Sequence, residues 1–262
     1  VEGMYAKHLH HFGWVKLDLL GLDTLCIIQR TIERILIGQG VESPTFAQVK
    51  AWYDENLHPS KLDLNDQQVF EHVYGESRYA GVFQCTSQGS KRLFEQGQPK
   101  SVVDIAALTS IYRPGPLAAN VDKLYIKAKN DPSSVTYEHP ILEDILNETF
   151  GLVVFQEQTL KIANKLGGLP PADCDRFRKV IMKREVSTLG KNQAEIDDLK
   201  ARFLAGAIER GMTKHAADEL FQKLSYFSGY GFCSALALSY AIDSYYCAWL
   251  LTHYEPEWLC SY

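Results

Sequence analysis

Leu236-Ala237-Leu238-Ser239-Tyr240-Ala241-Ile242-Asp243-Ser244-Tyr245-Tyr246-Cys247-Ala248-Trp249-Leu250-Leu251-Thr252-His253-Tyr254 is apolar around most of its circumference when wound at 3.6 residues per turn. A helix of that kind has no face to give to water and belongs in a core. It is too short, and with Ser239, Asp243 and Ser244 too polar, to span a membrane. Upstream, residues 192–210 form a long amphipathic pattern closed by Gly211, and Thr213 is placed to cap a further helix. Pro140 suits the first position of a helix reaching Asn147. Ser101, with Asp104 three residues on, opens a helix to Tyr112 that the Pro114-Gly115-Pro116 run should end. Residues 65–74 read as a short helix. Residues 22–37 carry apolar side chains at 22, 25, 28, 32, 35 and 36, a helical period stopped by Gly38. Extended pieces are few: a short strand over 13–20, another piece at 81–84, and a buried one at 152–155. The expected fold is mainly α with a little β (α+β).

The 262 residues, 46% hydrophobic, can bury a sizeable core. A net charge of −5 means that any DNA contact must come from local basic clusters. Six cysteines without a C-x-x-C pair argue against a zinc site or a disulfide framework, and for a reducing, cytoplasmic setting. No signal peptide is present. Val1 and Tyr262 lead to the expectation that both ends are cuts through a larger protein, or one piece of a divided gene.

Several residues could carry chemistry. Asp18, between Leu17 and Leu19, would be costly to bury unpaired. With Lys16 on the same side, it reads from composition as the solvated face of an edge strand. Arg176, Lys179 and Lys183 share a helical face with Arg184 nearby, while Arg178 points elsewhere: a solvated charged face or a phosphate-binding one. Arg113 precedes a rigid turn. Gln156, Glu157 and Gln158 read as polar residues at a helix start. Tyr230, flanked by Gly229 and Gly231, is either a buried turn residue or an aromatic whose backbone can approach a ligand closely. Asp173-Cys174-Asp175 follows Pro170-Pro171 and reads as a helix cap. His8, His10 and His11 lack a clean metal spacing.

Four segments in one order then resemble the catalytic core of the C-family replicative DNA polymerases, the bacterial DNA polymerase III alpha subunits. They are Val15-Lys16-Leu17-Asp18-Leu19-Leu20-Gly21-Leu22, Tyr112-Arg113-Pro114-Gly115-Pro116-Leu117, Phe155-Gln156-Glu157-Gln158 and Gly229-Tyr230-Gly231-Phe232. The resemblance implies the end of a polymerase palm over 1–24 and a helical fingers domain over 25–262. It makes Asp18 the third catalytic carboxylate, sharing Mg2+ with two palm carboxylates that this chain lacks, and sets Lys16 beside it. It implies that Arg178 and Lys179 approach the incoming nucleotide and that Lys183 and Arg184, the next basic pair, meet DNA. Arg113 would reach toward phosphate or a buried carboxylate, and Tyr230 would pack against the nascent base pair. The implied partners are primer-template DNA, deoxynucleoside triphosphates, the remaining palm and thumb polypeptide, and a sliding clamp through regions absent here, with no membrane.

One stretch departs from the pattern. Where the family continues Asn-Lys-Ser-His-Ala, this chain has Cys233-Ser234-Ala235-Leu236-Ala237. Two phosphate-facing groups of the family are thereby missing. An alternative reading follows: a non-catalytic fragment or divided-gene product that keeps the fingers fold and binds a partner polypeptide or DNA, with Cys233 a remnant of a splicing junction.

Overall fold

The structure is a computed structural model that describes residues 6–14, 17, 21–182, 193–228 and 230–262. A short α1 (Ala6–His11) comes first, then α2 (Asp23–Gly38) and α3 (Phe46–Asn56). α4 (Gln67–Val69) widens directly into a π-helical turn, Phe70–Gly75. α5 (Gln88–Gly97), α6 (Val102–Ile111), α7 (Pro114–Ala118) and α8 (Val121–Asn130) follow. Next come α9 (Pro140–Leu146), α10 (Gln156–Lys165), α11 (Pro171–Met182), α12 (Gln193–Glu209) and α13 (Lys214–Ser228). α14 (Ser234–His253) and α15 (Glu255–Ser261) complete the order.

Two hydrophobic cores organise these helices. The first is built from α2–α6 and α8 together with α14 and α15, so both halves of the chain contribute. α14 lies along α6, whose residues 104–111 are all buried. Small side chains, Ala106 and Ala107 on α6 and Ala237, Ala241 and Ala248 on α14, are buried there and let the backbones approach. The polar atoms that α14 takes inside are matched. Ser244 Oγ lies 3.1 Å from the Tyr74 hydroxyl, and the Tyr245 hydroxyl donates to Asp63 O at 2.8 Å. α15 packs on α2 through the fully buried Trp258, whose Nε1 donates to Ala80 O at 2.8 Å. The second core lies within 142–224, from α9 to α13. At its centre Phe177 stacks on Phe203 at 5.1 Å and meets Phe221 edge-on at 5.9 Å.

Helix starts follow the local chemistry. Ser101 accepts from Asp104 N at 3.1 Å, Thr213 accepts from Ala216 N at 3.2 Å, and Pro140 occupies the first turn of α9. The sheet content does not materialise. Among the described residues there is no named strand, only one isolated parallel bridge, Phe155–Phe232. Of the expected 13–20 strand, residues 15, 16 and 18–20 lie outside the described residues, and Gly13 sits in a turn. The expected extended piece at 81–84 is a pair of turns, closed by bonds from Val82 N to Tyr79 O and from Cys85 N to Val82 O. Pro114-Gly115-Pro116 does more than end α6: Pro114, lacking an N–H to leave unsatisfied, opens α7. No helix among the described residues is long and apolar enough to cross a membrane, and the six cysteines are free thiols.

Candidate functional site

Three of the four quoted segments meet where the two cores join. The chain enters through Val154 and Phe155, pairs with Phe232, and turns into α10. Phe232 N donates to Val154 O at 3.1 Å, and Gln156 N donates to Phe232 O at 2.9 Å. The polar residues that follow each have a distinct task. Gln158 is buried; its Oε1 accepts from Val154 N and Phe155 N, both at 2.9 Å, and its Nε2 donates to Thr149 Oγ1 at 2.8 Å. Gln156 Nε2 donates to Gly231 O at 3.0 Å. Glu157 Oε2 accepts from Ser234 N at 2.8 Å, at the first turn of α14, where Cys233 offers no side-chain cap. Burial by itself would raise the Glu157 pKa, but hydrogen bonds from Ser234, from its own N–H and from Cys233 together outweigh it and hold the carboxyl below its ordinary value.

Arg113 is turned to the same place. Its Nε donates to Ser110 O at 2.8 Å, its Nη2 to Tyr230 O, and its guanidinium lies 4.8 Å from the centre of the Phe232 ring. Burial lowers its pKa. Tyr230 is half-buried, edge-on to Tyr226 at 6.1 Å, with its ring against Gly115. A Cβ at Gly115 would stand 2.5 Å from the Tyr230 ring, so any larger residue there must displace the ring or the backbone.

The basic cluster lies on α11. Arg176 and Lys179 expose 61% and 59% of their side chains, whereas Arg178 exposes 16%. All three meet carboxylates. Arg176 bonds Glu195 at 2.8 Å, and Lys179 and Arg178 reach Asp175 at 2.5 and 2.8 Å, holding its carboxyl below the usual value. Asp173 stands in the first turn of α11, at the helix start where the sequence put it, and also pairs with Arg202 at 2.5 Å, while Asp175 lies further along the helix with its two cations. Lys16, Asp18, Lys183, Arg184 and Gly229 lie outside the described residues. Among the described residues no group of three or more His, Cys, Asp or Glu side chains could hold a metal.

Residues 41–211 match the family model described as the bacterial DNA polymerase III alpha subunit finger domain. The chain belongs to this family. It is similar to proteins named DNA polymerase III subunit alpha. The Aquifex aeolicus protein is 32% identical over 249 residues, covering 95% of this chain and 20% of the relative. The Borreliella burgdorferi protein is 35% identical over 250 residues, covering 95% and 20%. A Staphylococcus aureus protein is 34% identical over 242 residues, covering 92% and 20%. The chain thus spans about one fifth of the length of the curated relatives it matches.

The matched stretch holds Arg113, residues 155–158 and α11, while Tyr230 and Asp18 lie outside it. Sequence reasoning gave residues 156–158 no role beyond polar helix-start residues. Their partners are 75 to 77 residues away for Gln156 and Glu157, and no periodicity or spacing carries such a pairing. The available signal was compositional: three consecutive long polar side chains directly after an apolar run.

Proposed function

We propose that this chain is the end of the palm (1–24) and the fingers (25–262) of a C-family replicative polymerase, acting in template-directed DNA synthesis from deoxynucleoside triphosphates. The observation that carries the reading is the family match together with the meeting of Arg113, Gly115, Gln156, Glu157 and Tyr230 in one cluster. Tyr230 stacks against the nascent base pair; an aromatic face suits every base, as template-directed synthesis requires. Arg178 and Lys179 exchange Asp175 for nucleotide phosphates, and Lys183 and Arg184 meet DNA. Arg113 contributes by holding the Tyr230 carbonyl, within the same nucleotide-binding cluster. Asp18 lends one ligand to Mg2+ ions whose other carboxylates lie outside this chain, with Lys16 beside it; bound there, the metal supplies charge neutralisation at the reacting phosphates. The remaining palm and thumb polypeptide, primer-template DNA and a sliding clamp are the partners, and the cytoplasm is the compartment.

In the complete polymerase, Asp18→Asn abolishes synthesis while DNA binding stays nearly intact. Retention of more than a few per cent of primer extension makes Asp18 structural. Replacing both Arg178 and Lys179 with alanine raises the nucleotide requirement or weakens a steeply salt-dependent DNA affinity. A titration at two salt concentrations that cannot tell the variant from its parent returns the cluster to a solvated helix face.

A second reading is favoured by residues 233–236. Ser234 donates its N–H to Glu157 and Leu236 is 42% exposed, where the resembled family has a lysine and a histidine. In this reading the chain keeps the fingers fold, binds a partner polypeptide or DNA, and performs no chemistry. Metal-dependent nucleotide incorporation by the assembled polymerase separates the two.

A further inference from the structure

We propose that Gln156 and Glu157 are positioning residues that set where the Tyr230 ring stands, a role that rests on reading Tyr230 as the side chain packed against the nascent base pair. Tyr230 lies between two glycines, Gly229 and Gly231, whose backbones have more conformational freedom than any other residue. Left to itself, such a segment would spread the ring over many positions, and a misplacement of about 1 Å in a reacting assembly costs rate out of proportion to its size. The structure removes that freedom at successive residues. Arg113 holds the carbonyl of Tyr230, and Gln156 Nε2 holds the carbonyl of Gly231 at 3.0 Å. Phe232 is bonded on both sides, to Val154 O at 3.1 Å and from Gln156 N at 2.9 Å. Glu157 then fixes the N–H of Ser234 at 2.8 Å.

The division of labour among the three polar residues supports this assignment. Gln158 closes most of its own segment, bonding Val154 N, Phe155 N and Thr149, and Glu157 adds a bond from its own N–H, so the bonds that Gln156 and Glu157 make to residues 231–234 come in addition to the closure of the α10 start. Those two reach across the bridge to Gly231 and Ser234. Glu157 also stands in for the missing cap of α14, a 20-residue helix whose N-terminal dipole favours a negative group. Its carboxylate therefore ties the first turn of α14, where the Tyr230 segment ends, to the start of α10. Gly231 leaves room for the strap: a Cβ there would lie 3.2 Å from Gln156 Cγ.

The test uses the complete polymerase polypeptide carrying Glu157→Ala, Glu157→Gln, Gln156→Ala or Tyr230→Ala. Hydrogen exchange at the amides of residues 231–236 is read beside KM for the nucleotide, kcat and Tm. Glu157→Ala is expected to speed exchange at those amides and to raise KM, each by roughly fivefold, the factor that loss of a helix cap carries. Glu157→Gln, which keeps an acceptor oxygen, returns most of both, and Gln156→Ala behaves like Glu157→Ala on a smaller scale. A merely structural role lowers Tm and leaves KM where it was; that result, with exchange accelerated, overturns the proposal. Unchanged exchange in Glu157→Ala overturns it as well. If KM is unaltered in Tyr230→Ala, the base-pair reading itself falls and the positioning role falls with it, a failure recognisable because exchange at 231–236 still responds to Glu157→Ala.

Discussion

At the scale of single residues, the site is defined by how little space surrounds Tyr230. Gly115 meets its ring so closely that one added methyl must push the ring or shift α7. Gly115→Ala is therefore expected to raise the nucleotide KM of the assembled polymerase several-fold, with a stability loss of about 1–3 kcal/mol, the range for overpacking a tight contact. An alanine variant with parental KM and parental Tm would mean that the ring has room to move and that its contact with Gly115 is incidental. Arg113 shows what could and could not be foreseen. Its place before a Pro-Gly-Pro turn marked it as a candidate, but its partners are the carbonyls of Ser110 and Tyr230, the second 117 residues away. The α11 cations were legible as a cluster from helical spacing alone. Their carboxylate partners were partly legible: Asp175 lies three and four residues from Arg178 and Lys179, whereas Glu195 sits on another helix.

At the scale of elements, what a helix does with its own neighbours was readable and what it does with distant ones was not. Ser101, Thr213 and Pro140 act within three residues of themselves, so their caps could be assigned before any fold was known. Residues 81–84 read as extended and 65–74 as one short helix, whereas the turns over 81–84 and the π-turn at Phe70–Gly75 are set by packing against α14 and α15. Asp104 joins both kinds of behaviour. It was picked out as the third residue of α6, where its N–H meets Ser101, yet its carboxylate turns to Lys129 on α8 at 2.7 Å, with both side chains only 10% exposed. The Tyr125 hydroxyl and Lys100 N–H complete the cluster at 3.1 and 2.8 Å. Burial lowers the Lys129 pKa and its bond to Asp104 opposes that shift. Removing one partner strands the other charge, so Lys129→Ala is expected to cost about 3–5 kcal/mol, with the two remaining donors to Asp104 favouring the lower end. Thermal denaturation checks it. Adding Asp104→Asn to Lys129→Met should recover stability, and a double variant no better than Lys129→Ala would show that the charge is not what matters.

At the scale of the whole molecule, the two cores share one chain unequally. The first needs α2–α6, α8 and α14–α15 together, while the buried residues of the second all lie within 142–224. That interleaving could not be read from the sequence, since hydrophobic periodicity reports which face of a helix is buried and not what buries it. The tryptophans make it measurable. Of the four, Trp52, Trp249 and Trp258 belong to the first core or pack against it, and the other, Trp14, is exposed near the N-terminal end; none lies in the second core. Phe203→Ala, which empties the centre of the second core, is expected to cost about 3–5 kcal/mol there. The loss should appear as an early helical transition in circular dichroism, with tryptophan fluorescence unfolding near its parental midpoint. Coincident shifts by both probes would mean that the two cores unfold as one.

The distribution of the first core along the chain also sets an order of assembly during synthesis. Contacts between α6 and α14, or between α2 and α15, join residues far apart in sequence, and they cannot form until α14 and α15 have left the ribosome. Contacts of the second core are complete once α13 emerges. A nascent chain therefore carries a finished second core behind an N-terminal half whose isoleucines and tyrosines still lack their cover. Throughout that interval its protection from aggregation depends on chaperones or on the speed of translation rather than on its own fold.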